Sequence, residues 1–210
     1  MTMTVLTRTE PDEPSRIGRP VMMLLARLDR ALRAVETAAS SLAAFALFAI
    51  MWIVGIDVAM RYLFNRPFGW SYDFISLYVI VALFFLALSP TFAANGHINV
   101  DLLHHALPRW GRRVCEVLIC ALSAGFFGLL TETSAARTWE AYQAGDVLAG
   151  SYSWPTWASL IFVPLGAGLL TLRLALSGLC HLATLLGGRE IISLPAIAGS
   201  SEAIAQRGFE

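Results

Sequence analysis

Asp73–Ala93 reads DFISLYVIVALFFLALSPTFA, and after the opening acid it carries no charge. At 1.5 Å per residue, a helix of about twenty apolar residues matches the roughly 30 Å hydrocarbon layer of a bilayer. This stretch is therefore expected to span a membrane. Its far end is marked by Pro90 and then by Asn95-Gly96, which end or kink the helix.

Upstream lies Phe64–Tyr72, FNRPFGWSY, a short polar turn. Pro67 and Gly69 break helix there, and Phe68, Trp70 and Tyr72 suit the headgroup belt. Downstream lies Ala94–Leu107, ANGHINVDLLHHAL, which holds three of the four histidines. Asn99 is a suitable N-cap for a short helix with Val100, Leu103 and Leu107 on one face. Asp101 sits in the favourable first turn and Pro108 is the stop. This segment is read as a hinge between two spans, with His97 and Asp101 bonding to each other or to exposed helix ends.

Composition agrees with lipid as solvent. Of 210 residues 57% are hydrophobic and 14% charged, against about a quarter charged in a soluble domain, and mean hydropathy is +0.64. Net charge is zero, so no nucleic-acid partner is indicated. Three cysteines, Cys115, Cys120 and Cys180, form no paired framework, and no cleaved signal peptide is expected.

Three further apolar runs follow the same logic. The first span covers about Ala38–Tyr62, the third Val114–Glu132 and the fourth Trp154–Cys180, the last carrying Pro164, Gly166 and Gly168. In the first, Asp57 and Arg61 are four apart and are read as an interfacial pair within one helix. In the third, Ala121 and Gly125 form a small-residue notch. A short helix is expected around Ala135–Gln143, ended by Gly145. Before the first span, Leu25, Leu28, Leu32 and Val35 share one helical face, with Arg27, Arg30, Arg33 and Glu36 on the other. Val21–Thr37 is therefore expected to be an amphipathic helix in the membrane interface. The fold expected is all-α and integral to the membrane. Residues 1–20 form a disordered tail, 21–186 a four-helix membrane domain and 187–210 a mobile tail.

Arginine sets the orientation. Twelve lie in the N-terminal region, the central loop and the C-terminal end, and three, Arg61, Arg66 and Arg137, on the other side. Basic residues favour the cytoplasm, so both termini are expected inside.

Catalysis and cofactors find little support. No nucleotide loop, triad or zinc-protease motif is present. A metal site from His97, Asp101, His104 and His105 is disfavoured, because one short helix rarely supplies a closed set of ligands. Haem is disfavoured because no histidine falls in mid-span. No enzyme activity and no cofactor are expected; a haem or metal protein and a non-transport adaptor are the alternatives. Four modest spans with few polar groups at the midplane also cannot make a substrate pathway unaided.

Several residues in order resemble a known family, the small membrane subunit (DctQ-type) of tripartite ATP-independent periplasmic transporters. They are Arg61, Tyr62, Phe64, Pro67, Trp70 and Asp73, where the family usually has Glu at the last position. The block Gly96-His97-Ile98-Asn99-Val100-Asp101 follows, then Pro155, Trp157, Pro164, Gly166 and Arg173. The resemblance covers about residues 25–185. It implies a non-enzymatic bacterial inner-membrane subunit that forms a heterodimer with a large membrane subunit. That partner performs sodium-coupled uptake of an organic acid delivered by a periplasmic binding protein. The small subunit's implied role is scaffolding.

Overall fold

The computed structural model describes residues 19–94, 109–148 and 152–187. Of the expected tails, residues 1–18 and 188–210 lie outside the described residues, as does the central segment with Gly96, His97, Asp101, His104 and His105; residues 19, 20 and 187 belong to helices instead. Four helices are long and apolar enough to cross a membrane: Met23–Phe64, Ser71–Ala93, Trp110–Ala144 and Thr156–Leu185.

Helix α1, Arg19–Phe64, is one element of 46 residues. The expected division at residues 37 and 38 is absent from the backbone. The change there is in polarity alone: between Val21 and Val54 there is no Pro or Gly, and Ala, Leu, Met and Arg dominate. Pro20 stands in the first turn, where its missing N–H costs nothing. The other end is closed by Asn65, at φ +53°, with the Arg66 N–H donating back to the Met60 carbonyl at 3.3 Å. Asn tolerates this left-handed conformation, and Pro67 prevents the helix resuming.

Helix α2, Ser71–Ala93, contains a wider π-helical turn at Ile75–Val79 and keeps Pro90 inside it. Helix α3, Arg109–Ala144, also corrects the expected boundaries, since the separate helix at Ala135–Gln143 is its continuation. The polar run after Leu130 looks like a loop in sequence. In the structure Thr131, Thr133, Ser134 and Thr138 each donate a hydroxyl to a carbonyl of the preceding helical turn. Their polarity is satisfied within the helix, so it need not end. It ends instead at Gly145, φ +66°, where the Gly145 N–H reaches the Tyr142 carbonyl and the Asp146 N–H that of Ala141. That pair of bonds is the usual glycine stop of a helix.

A two-residue strand β1, Val147–Leu148, pairs antiparallel with β2, Trp154–Pro155, in the register Val147 with Pro155 and Leu148 with Trp154. Helices α4, Thr156–Leu160, and α5, Phe162–Gly187, complete the fourth span. This span is the most enclosed: a third of its most apolar window is buried, against 6–11% in the other three.

The chain divides into two compact units. The first is Met1–Arg33, Thr91–Gly125 and Thr171–Glu210; the second is Ala34–Pro90 and Phe126–Leu170. In the first, Cys120, Leu174, Leu176 and Cys180 are buried; in the second, Ala39, Ala43, Ala82, Ala141, Ala167 and Leu170. Small residues prevail because helices in lipid gain by close backbone approach rather than by excluding water. Gly166 is the extreme case. A Cβ there would occupy the space of the Phe85 backbone carbonyl on α2. Gly125, expected to be a contact notch, has nothing within 4 Å of a Cβ position; Gly168 and Gly178 are the glycines that touch neighbours on α3.

Candidate functional site

Three acids on α1 organise the buried polar chemistry. Asp29, Glu36 and Asp57 are 7%, 4% and 7% exposed. They are separated by seven and by twenty-one residues, and seven residues make close to two helical turns, so all three fall on one stripe. Ala43 occupies another position of the same repeat and is buried too. Each acid binds a different element.

In the first unit, Asp29 accepts from Arg173 of α5 at 2.8 Å through Oδ1 and from Arg33 of α1 at 2.7 Å through Oδ2. Arg173 is 2% exposed. A buried guanidinium without a counter-charge carries a desolvation penalty of several kcal/mol, so the carboxylate between two arginines is what makes its position tenable. Cys180, Ser177 and His181 are buried in the same unit. His181 was expected beyond the end of the fourth span. Because α5 continues to Gly187, this histidine is inside the helix and 1% exposed. Arg113 of α3 is also largely buried. Cys115, Cys120 and Cys180 are free thiols.

In the second unit, the Ser89 hydroxyl of α2 donates to Glu36 Oε1 at 2.6 Å, with Ser89 wholly buried. Asp57 takes two donors. Arg61 approaches Oδ2 at 3.1 Å, the expected i, i+4 pair, and the Phe68 backbone N–H donates to Oδ1 at 2.6 Å. The acid therefore also fixes the Phe64–Tyr72 turn. Within that turn Trp70 stacks on Phe68 at 5.6 Å and meets the edge of Phe74 at 6.0 Å. Pro67 is exposed, and Asp73 lies half-buried in the first turn of α2.

The widened turn of α2 carries Tyr78, whose hydroxyl donates to the Pro155 carbonyl at 2.6 Å. Its ring lies 5.8 Å from Trp154 and 5.9 Å from Phe74. Pro155 thus ties β2 to α2, in addition to starting the fourth span. Pro164 lies half-buried in α5, two residues before Gly166.

The expected polar outer face of Val21–Thr37 is only partly present. Arg27 and Arg30 are exposed, whereas Arg33 engages Asp29 and Glu36 is buried. The apolar residues Leu28 and Val35 are about half exposed. Sequence reasoning missed Asp29, Ser89 and Tyr78 and put Glu36 on the wrong, outer face. The seven-residue repeat of acids was the available signal. Among the described residues no group of three His, Cys, Asp or Glu side chains is placed to hold a metal ion. Asp29, Glu36 and Asp57 each bond to a segment beyond α1, an arrangement that fixes these elements to it.

Large apolar side chains are exposed as well. On α1, Phe45, Phe48, Met51 and Trp52 are more than half exposed. Near its end is an open groove of about 410 Å³, whose small members, Gly55 and Ala59, lie one turn apart. Nothing approaches within 4 Å of a Cβ position at Gly55.

The family described as tripartite ATP-independent periplasmic transporters, DctQ component, matches residues 50–184, well over half of the chain. The match includes Asp57, the Phe64–Tyr72 turn, Ser89 and Arg173 and leaves Asp29 and Glu36 outside it. No curated protein and no solved structure gives a match to the chain.

Proposed function

The chain belongs to the DctQ component of tripartite ATP-independent periplasmic transporters, an inner-membrane permease family, and on that premise we propose that it is the scaffold of a two-subunit carrier. Its partner is a large membrane subunit that moves an organic acid together with sodium. A periplasmic binding protein delivers the solute to the pair. Both termini and the segment between α2 and α3 face the cytoplasm, for which the support is the twelve-to-three distribution of arginine. Cysteines introduced into either tail should resist an impermeant thiol reagent added outside; labelling there would reverse the orientation.

The observation that carries the scaffold reading is the unfilled notch on α1. Gly55 and Ala59, spaced as small-xxx-small and rimmed by Met51, Trp52, Ile56 and Met60, have the form of a seat for a second membrane helix. The chain's own buried acids hold its helices fixed relative to their immediate partners, which suits an immobile platform. Co-expression with the large subunit tests the reading. Gly55→Leu with Ala59→Leu should fill the notch and reduce recovery of the complex at least tenfold, while the chain alone keeps its helix content. Undiminished recovery would remove this surface from the interface.

A further inference from the structure

In the second unit α3 carries an acid, Glu132, that no other described residue binds. It is exposed, and among the described residues it makes no hydrogen bond or ion pair. Asp29, Glu36 and Asp57, by contrast, each have a donor within the chain. Arg137 is exposed as well, but five residues on it leaves α3 in another direction, about 140° round the axis. Below Glu132 the same helix exposes Leu129 and Phe126.

Three contacts fix the depth of this carboxylate. Tyr142 of α3 meets Trp157 of α4 edge to face at 5.5 Å, and such rings belong at the headgroup boundary. Glu132 lies ten residues before Tyr142, about 15 Å along a helix. The fourth span gives the same depth. Thr131 is the side chain nearest a Cβ at Gly168, 3.3 Å away, and Gly168 lies eleven residues beyond Trp157, about 16 Å. Gly166 in turn packs on Phe85, twelve residues beyond Asp73 in the 23-residue α2. The hydrocarbon layer is about 30 Å thick, so Glu132 stands near its middle.

We propose that Glu132 forms an ion pair with an arginine or lysine on a membrane-embedded helix of the large subunit, a reading that rests on the scaffold role and extends it to α3. An ionised side chain at this depth needs a counter-charge, a donor or water. Lipid tails supply none of these, and glutamate lacks the long stem by which arginine and lysine reach the headgroups. A second copy of the chain fails too. Copies inserted in the same sense and related by an axis along the membrane normal set each residue level with itself, so Glu132 would meet Glu132. Charge and depth together select a basic side chain from a different membrane protein, and the large subunit is that partner.

Co-purification of the full chain with the large subunit tests it. Glu132→Gln keeps the shape and removes the charge, and should lower recovery of the complex about tenfold; Glu132→Arg should lower it further. Glu140→Gln, two residues from Tyr142 and so near the headgroups, should leave recovery unchanged. Among large-subunit variants with each membrane-embedded Arg or Lys changed singly to Glu, one should restore recovery with Glu132→Arg. A photo-reactive benzoylphenylalanine at Ala136, exposed one turn from Glu132, should cross-link to the large subunit. Full recovery with both Glu132 variants overturns the proposal, as does failure of every reversal to rescue. Should Glu132→Arg not insert, the Gln variant and the cross-link decide: undiminished recovery, or a cross-link confined to a second copy, overturns it. If the unmodified chain itself does not co-purify, the scaffold reading fails; if it does and both Glu132 variants match it, the ion pair alone fails.

Discussion

Asp29 and Asp57 occupy the same stripe of α1 but do different work. Asp29 neutralises a buried arginine from another helix. Removing its charge as Asp29→Asn takes this carboxylate from buried Arg173, at a cost of about 3–5 kcal/mol, whereas the exchange Asp29→Arg with Arg173→Asp restores a pair and should recover part of the loss. Thermal unfolding in detergent measures both. If the exchange is as damaging as the single change, the pair is not what holds α1 to α5. The Arg61 guanidinium beside Asp57 is 59% exposed, so that ion pair contributes about 0–1 kcal/mol. The Phe68 N–H bond matters more, because losing its acceptor leaves a donor unsatisfied at about 1–3 kcal/mol. Asp57→Asn, which keeps an accepting oxygen, should therefore be mild and Asp57→Ala clearly destabilising. Equal effects would make the ion pair dominant.

Among the described glycines, Gly166, where α5 meets α2, has the least room. Gly166→Ala puts a methyl group into the Phe85 carbonyl, and backbone cannot yield as a side chain tip can. Separation of the two helices should cost about 1–3 kcal/mol or more, read as a lower unfolding temperature. Gly125→Ala, with nothing near its Cβ position, serves as the neutral control. A Gly166→Ala chain as stable as that control would contradict the packing. The number and type of membrane helices were legible in sequence because twenty apolar residues are a strong, local signal. Their ends were less so. At residues 37–38 and again after Leu130 polarity changes while the backbone remains helical, and hydropathy does not distinguish the two. Partners across space were the least legible. Arg173 was singled out by resemblance, but its counter-ion Asp29 is 144 residues away, and only the heptad spacing of the acids hinted that a polar stripe points inward. The hinge reading of His97 and Asp101 concerns residues outside those described.

At the scale of the whole molecule, the buried polar groups hold elements together while many large apolar side chains of α1 and α3 remain uncovered, with Leu122, Phe126 and Leu129 mostly exposed on α3. Lipid can cover such side chains, but the notch at Gly55 and Ala59 has the shape of a helix contact. Membership of the DctQ family makes this chain one component of a transporter. The central claim is that it supports transport by standing beside the large subunit, without carrying the solute itself. Sodium-driven uptake in proteoliposomes, with the large subunit and binding protein present, tests this most directly. Uptake should require this chain, fall with Gly55→Leu and Ala59→Leu in step with lost complex, and keep its choice of solute throughout. Full uptake by the large subunit without this chain, or a changed solute preference in an assembled variant, would contradict it.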